Sequence, residues 1–203
     1  MIEGINITKQ FEELILFDNF NFTIEDGDFV CFSGVSGSGK TTLLNIIGLL
    51  EPVDAGELYI DGLKYATNRK KLGYFRERVG FLFQNFALIE NKTVEENLEI
   101  VRKKNRTDYT IMEALEKVGL EDKIDNKVFT LSGGEQQRVA LARLFLKKCD
   151  IILADEPTGS LDRWNARIVM DILLELNREG KTVILVTHDD RIKKMARTVI
   201  ELS

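Results

Sequence analysis

The chain has 203 residues, of which 44% are hydrophobic and 30% charged, as is typical of one globular domain with a buried core. Its formal net charge of −5 argues against nonspecific attraction to nucleic acid, so we expect no nucleic-acid partner. The first residues lack the basic start and apolar middle of a signal peptide, and no apolar run approaches the roughly 20 residues of a membrane helix.

Apolar side chains recur along residues 1–24 at intervals that predict antiparallel strands on one face of a core. They are Ile2, Ile5, Ile7, Leu14, Leu16, Phe20, Phe22 and Ile24. Asp26-Gly27 then predicts a turn, and the apolar run from Phe29 to Ser33 predicts a buried strand.

A glycine-rich loop follows this strand. Residues 34–41 fit the pattern G-x-x-x-x-G-K-[ST], and residues 42–47 predict a helix behind it. Glycines let consecutive backbone N–H groups converge on an anion, Lys40 supplies positive charge to outer phosphates, and the Thr41 hydroxyl suits Mg²⁺. The candidate nucleotide-binding residues of the loop are Ser36, Gly37, Ser38, Gly39, Lys40, Thr41 and Thr42. The alternative is a glycine-rich turn without a ligand.

Four apolar runs end at residues that carry polar or phosphate-binding chemistry. The strand before the loop stops at Ser33-Gly34, and the other three runs stop at Gln84, at Asp155-Glu156 and at His188, the single histidine of the chain. Continuous apolar runs predict strands buried on both faces of a parallel sheet, where ligands bind at the carboxyl ends. The sequence therefore predicts one assembled site at that edge.

Between residues 85 and 130 the pattern becomes helical. Thr93 to Glu96 predict a capping box, and Ile111, Met112, Leu115 and Val118 repeat at helical spacing before a capping Gly119. This predicts a helical subdomain inserted into the sheet domain.

An amphipathic helix follows the sequence Leu131-Ser132-Gly133-Gly134-Glu135. A capping box explains the serine and the glutamate, but two adjacent glycines lower helix propensity. They are explained if an anion must approach the backbone at this helix N-terminus.

Taken together, these motifs resemble the ATP-binding subunit of an ABC transporter, over essentially the whole chain and in the family's motif order. Residues 131–135 match the family signature, and "LADEPTGSLD" is similar to the subgroup of lipoprotein-release, macrolide-export and antimicrobial-peptide transporters. The compact form is also similar to bacteriocin-export ATPase subunits. Phe11 falls where the family places an aromatic side chain on adenine, and it replaces the commoner tyrosine.

The resemblance implies an α/β fold, a P-loop NTPase with a mostly parallel core sheet, an antiparallel β subdomain and an inserted helical subdomain. Residues 1–203 then form a single domain, with a RecA-like core over about 1–84 and 131–203 and the helical subdomain over about 85–130. It implies Glu156, His188 and Gln84 as catalytic residues, and Thr41, Gln84 and Asp155 as metal-binding residues. Ser160-Leu161-Asp162 matches the D-loop.

The resemblance further implies ATP and Mg²⁺ as cofactors and a subunit that hydrolyses ATP to power an integral membrane permease. Two copies sandwich two ATPs head to tail, with Ser132 and Gly134 binding the nucleotide of the other copy. The predicted location is cytoplasmic, peripheral on the inner face of the cell membrane. The transported class is expected to be a peptide, a lipoprotein or a hydrophobic compound.

Other ATP- or GTP-binding functions compete with this one. A soluble ABC-type ATPase acting on nucleic acid usually carries long coiled coils or zinc-binding cysteines, and the sequence shows neither. A translation-type factor fuses two such domains, whereas one copy is present. A nucleotide-regulated binding module without turnover conflicts with the intact Glu156. A GTPase is disfavoured because the sequence contains no Asn-Lys-x-Asp guanine motif. A mechanical ATPase at the membrane, without transport, stays open.

Overall fold

The computed structural model describes residues 1–64 and 68–202, and the side chains of all of these except residues 68–70. Ser203, the last residue of the predicted domain, lies outside the described residues. The strands of the described ranges are β1 (Ile2–Phe11), β2 (Leu14–Ile24), β3 (Phe29–Gly34), β4 (Ala55–Ile60), β5 (Leu63–Lys64), β6 (Val79–Leu82), β7 (Ile151–Asp155), β8 (Thr182–Val186) and β9 (Thr198–Leu202).

The α-helices of the same ranges are α1 (Lys40–Ile47), α2 (Asn68–Glu77), α3 (Val94–Glu99), α4 (Ile111–Val118), α5 (Gly133–Leu146), α6 (Arg163–Arg178) and α7 (Asp190–Lys193). Within the part of the chain that the structure describes, no helix is both long and apolar enough to cross a bilayer.

The strands form two sheets, one antiparallel and one parallel. The antiparallel sheet has the order β2-β1-β4-β5, and the parallel sheet has the order β6-β7-β8-β3-β9. Each pairing of the second sheet is parallel, as the continuous apolar runs predict, so the predicted fold class is confirmed. The edge strand β9 was not predicted, because its first residues are exposed and lack an apolar run.

Strand register brings the carboxyl ends of the inner strands to one edge. Leu82 pairs with Ala154, Asp155 with Val186, and Phe32 also with Val186. The residues that follow these strands therefore emerge side by side, and the site is assembled at this edge.

Two hydrophobic clusters cover the two faces of the parallel sheet. Alternate residues of each buried strand point to opposite faces. In β3, for example, Phe29 and Cys31 belong to the cluster that contains α5 and α6, whereas Val30 and Phe32 belong to the cluster that contains α1 and the antiparallel sheet. Both faces are thus buried, which is why the strands read as unbroken apolar runs.

The segment between β6 and α5 is organised by caps and by a buried amide. Both α3 and α4 open with complete capping boxes, and Gly119 ends α4 in the left-handed conformation at φ 64°, as predicted. Asn97 is fully buried, and its Oδ1 accepts from the Ile89 N–H at 2.7 Å while its Nδ2 donates to the carbonyls of Ile89 and Thr93. One side chain therefore replaces the backbone partners that the loop before α3 lacks.

Replacing Asn97 should destabilise this segment. Asn97→Ala removes the partner of the Ile89 N–H and leaves a cavity at a fully buried position, which should lower the free energy of unfolding by about 2–4 kcal/mol. Urea denaturation followed by circular dichroism measures the change. Glu99→Ala, at an exposed position of the same helix, is the matched control and should alter stability little. Equal stability of the two variants would contradict the structural role of the amide.

Candidate functional site

The glycine-rich loop connects β3 to α1 and is tightly enclosed. Gly34 has φ 153°, and a Cβ there would collide with the Leu202 carbonyl and lie 2.6 Å from Ser38 Oγ. Gly39 has φ 87°, and a Cβ there would lie 2.6 Å from the Phe17 ring. These two positions need glycine both for the backbone conformation and for space. The loop is therefore held between the end of β9 and the strand β2.

Two polar side-chain groups of the loop, the Lys40 ammonium and the Ser38 hydroxyl, are shielded from solvent. The Lys40 ammonium is only 9% exposed as a residue and donates to the carbonyls of Gly34 at 2.9 Å and Val35 at 2.7 Å. Ser38 Oγ is buried without a hydrogen-bond partner among the described residues. Ser36 and Gly37 form the exposed tip, and Thr42 is half-buried in the first turn of α1. The Lys40 ammonium and the Ser38 hydroxyl are thus both available to an anion bound in the loop.

Thr41 and Asp155 meet across the sheet edge. The Thr41 hydroxyl donates to Asp155 Oδ1 at 3.0 Å. Burial raises the pKa of Asp155 above its ordinary value, the Thr41 hydrogen bond opposes this, and the neighbouring Glu156 carboxylate adds to the rise. A hydroxyl and a carboxylate side by side are oxygen ligands of the kind that Mg²⁺ prefers.

Glu156 is paired with the single histidine of the chain. His188 Nδ1 lies 2.9 Å from Glu156 Oε1, and the histidine side chain is 74% exposed. Glu156 adopts φ 44°, an uncommon conformation for a residue with a side chain, while its N–H donates to the Val186 carbonyl. Glu156 Oε2 is buried and accepts no hydrogen bond from the residues described. One carboxylate oxygen is therefore held and the other is free.

Gln84 lies at the same edge. Its side chain is exposed, and its Nε2 would be 3.9 Å from a Cβ placed on Gly159. The Gly159 N–H donates to the Glu156 carbonyl at 3.1 Å. The segment after β7 therefore brings Gln84 and Glu156 into one neighbourhood, as the strand-end pattern predicts.

The signature segment begins α5 with the predicted capping box. The Ser132 hydroxyl accepts from the Glu135 N–H, and the Glu135 carboxylate accepts from both the Ser132 N–H and its hydroxyl at 2.8 Å. Ser132 and Gly133 are exposed, whereas Gly134 is buried. A Cβ on Gly134 would lie 2.5 Å from the Asn165 side-chain oxygen. The second glycine is thus required by close packing between α5 and α6, a reason that the sequence alone did not provide.

Phe11 stands at the end of β1, with its side chain 45% exposed. It pairs with Leu14 in the β1–β2 hairpin, and Leu16 and Phe17 of β2 contact the position of Gly39. The Lys9 ammonium lies 4.8 Å from the centre of the Phe11 ring. The hairpin therefore presents an exposed aromatic ring on the side of the sheet that holds the glycine loop.

Gln137 is a residue of the site region that the sequence analysis missed. It is buried in α5, and its Nε2 donates to the Pro157 carbonyl at 2.8 Å, which ties the signature helix to the segment after Glu156. Its signal was a polar side chain on the apolar stripe that includes Ala140, Leu141 and Leu144.

Known proteins are similar to this chain over most or all of its length. The family model described as ABC transporter matches residues 17–159. An uncharacterized ABC transporter ATP-binding protein of Methanocaldococcus jannaschii is 41% identical, over 100% of this chain and 95% of that protein. The macrolide export ATP-binding/permease protein MacB of Campylobacter jejuni is 39% identical over 97% of this chain, which spans 32% of that longer protein.

A solved structure shares the fold over the whole chain. It is an ATP-binding cassette in a dimeric, post-hydrolysis state with ADP and Pi bound, 37% identical to this chain with a TM-score of 0.86. The comparison covers 100% of this chain and 94% of that one.

The contact of Gly134 with Asn165 predicts a pairwise effect on stability. Gly134→Ala should lower the free energy of unfolding by about 1–3 kcal/mol through overpacking. Adding Asn165→Ala removes the clashing amide and should recover most of that loss, beyond what the Asn165→Ala single variant explains. Thermal and urea denaturation of the four proteins give the coupling free energy. Strictly additive effects would show that the two residues do not oppose each other.

Proposed function

Because this chain belongs to the ABC transporter family, as an ATP-binding subunit, we propose that it hydrolyses Mg-ATP and couples the reaction to an integral membrane permease. One observation carries the proposal. The glycine loop with Lys40, the Thr41–Asp155 contact and the Glu156–His188 contact all lie at the carboxyl edge of one parallel sheet.

The loop suits the phosphates of ATP. The Lys40 ammonium donates to two carbonyls of its own loop. When ATP binds, it would donate instead to oxygens of the β- and γ-phosphates, which carry full negative charge. Backbone N–H groups at the start of α1 and the unpartnered Ser38 hydroxyl supply further donors. In this proposal, residues 36–42 bind the triphosphate and Phe11 stacks on the adenine.

The residues at the sheet edge also fit a metal ion. Thr41 and Asp155 already share a hydrogen bond, and burial raises the pKa of Asp155, so a divalent cation bound beside it would favour the ionised carboxylate. A bound Mg²⁺ would supply positive charge that offsets the negative charge developing during phosphoryl transfer. Thr41 and Asp155 would hold the ion, directly or through water, and the Gln84 side chain would be a further ligand.

Glu156 is the proposed general base. Its free Oε2 is available to orient and deprotonate a water molecule, while His188 fixes Oε1. Asp155 bonds to the Thr41 hydroxyl and Glu156 to His188, so the adjacent carboxylates are proposed to take different tasks. His188 also has a second ring nitrogen for a γ-phosphate oxygen, and Gln84 would position the water.

Two copies are proposed to act together. The solved cassette is a dimer, and in this chain Ser132 and Gly133 expose the N-terminus of α5. Their N–H groups and the Ser132 hydroxyl, with Gly134 fixing the backbone against α6, would bind the nucleotide held by the second copy.

A groove between the sheet domain and the inserted segment suits the membrane subunit. It has a volume of about 420 Å³, and its charged lining residues are Arg76, Arg102, Arg143 and Lys147. Apolar lining comes from both the sheet domain and the inserted segment, through Phe81, Phe83 and Ile100. A partner docked in this groove would contact both the strand end before Gln84 and the helical segment 85–130. Movement of that segment, which we propose as the subdomain, would thus reach the permease.

The biological task that we propose is export, with the subunit peripheral on the inner face of the cell membrane. The likeness to a macrolide export protein supports export, and the subgroup sequence favours a peptide, a lipoprotein or a hydrophobic compound, bacteriocins included.

Glu156→Gln tests the catalytic proposal. Glutamine keeps the size of the side chain but cannot accept a proton, so ATP turnover should fall by ~10²-fold or more while Mg-ATP binding persists. Phosphate release and equilibrium nucleotide binding are measured for this variant beside Lys40→Ala, which should lose binding as well. Turnover by Glu156→Gln at the wild-type rate would refute the assignment of the base.

Ile100→Arg tests the groove. Ile100 is exposed and lines the groove, so a bulky cation there should abolish copurification with the membrane subunit, while the ATPase rate of the free chain stays within about twofold. Leu63→Arg, at a comparably exposed position on β5, is the matched control and should copurify normally. Loss of copurification with both variants, or with neither, would contradict the groove as the docking site.

A further inference from the structure

The single tryptophan of the chain lies in an unusual place. Trp164 has the largest type of side chain, yet it is 65% exposed. It is the second residue of α6, and its N–H donates to Asp162, the residue that caps the helix. Its ring is partnered on one side by the Arg138 guanidinium of α5, 5.9 Å from the ring centre. The next residue, Asn165, packs against Gly134. Trp164 therefore stands at the seam between α6 and the first two turns of α5.

The exposed ring continues the surface formed by the signature. Ser132 and Gly133 are exposed at the start of α5, and Arg138, one turn after Gly134, lies about 6 Å further along the axis on nearly the same face of the helix. Gly159 and Ser160, which precede α6, are also exposed. A protein partner that covers the N-terminus of α5 would therefore also be able to contact the indole of Trp164.

The position of Trp164 favours a second copy over the membrane subunit as that partner. The groove residues of α5 are Arg143 and Leu144, which lie roughly 140° and 240° around the helix from Arg138 at about 100° per residue. The tryptophan and the groove are thus on opposite sides of α5. A permease seated in the groove leaves the indole in water.

We propose that Trp164 is a contact residue of the ATP-bound pair, covered by the second copy when the signature surface closes over the nucleotide. This inference rests on the two-copy mechanism proposed above. An exposed indole already oriented by Arg138 loses little freedom when it is covered, and aromatic side chains bury roughly 150–250 Å² each. Tryptophan is also enriched among residues that dominate binding free energy. Arg138 and Asn165 act here as positioning residues, because they hold α6 against the signature helix.

The test uses the natural single tryptophan as its own reporter. In Glu156→Gln, which should retain ATP, sedimentation velocity measures pair formation while fluorescence measures the environment of Trp164. With Mg-ATP, we expect the pair to form, the emission to shift to shorter wavelength and acrylamide quenching to fall. With Mg-ADP the chain should remain single and the emission unchanged.

Trp164→Ser in the same background measures the contribution to pairing. We expect the dissociation constant of the pair to rise about tenfold or more, with thermal stability close to that of the parent because the side chain is exposed. Leu63→Ser, which removes an exposed apolar side chain from β5, is the matched control and should pair normally.

The outcomes separate this inference from the proposal on which it rests. A pair that forms with Mg-ATP but leaves the emission unchanged, or that forms equally tightly with Trp164→Ser, overturns the inference and leaves the two-copy mechanism intact. Absence of any pair by sedimentation overturns both. An emission change that occurs only when the membrane subunit is added would assign Trp164 to that partner, and the inference would be wrong.

Discussion

The parallel register of β6, β7, β8 and β3 is the constraint on which the site depends. Each strand is buried on both faces, so its side chains cannot carry chemistry within the sheet, and polar groups are placed where the strands end. Because the strands run in one direction, the ends coincide at one edge. Residues separated by more than a hundred positions, such as Thr41 and Asp155, are thereby brought to 3.0 Å.

Charge is then divided among closely spaced groups at that edge. Asp155 and Glu156 are adjacent carboxylates in a partly buried region, and the charge of Glu156 adds to the rise in the pKa of Asp155 that burial causes. The structure gives each its own partner, the Thr41 hydroxyl for Asp155 and the imidazole for Glu156. Lys40 supplies the nearby positive charge. The arrangement suits a substrate that brings both negative phosphate charge and a divalent cation.

Helix α5 links this edge to the remaining surfaces of the molecule. Its first turn carries the signature, and its buried Gln137 bonds to the carbonyl of Pro157. Its last turns supply Arg143 to the groove, and Lys147, the residue after the helix, lines the same groove. Burial lowers the pKa of both cations, and both donate to backbone carbonyls of neighbouring segments. A rigid helix of this kind is suited to carry a displacement between the nucleotide edge and a body in the groove.

The sequence by itself determined the features that depend on neighbouring residues. The glycine loop, the capping boxes at Thr93 and Ser132, the Gly119 cap and the buried strands follow from local spacing, because each is set by backbone propensity and by hydrogen bonds within a few positions. The tertiary structure alone decided which distant groups meet. The strand order, the pairing of His188 with Glu156, the Asn165 amide against Gly134 and the opposite placement of Trp164 and the groove on α5 depend on packing between segments far apart in the chain, and local pattern carries no information about that packing.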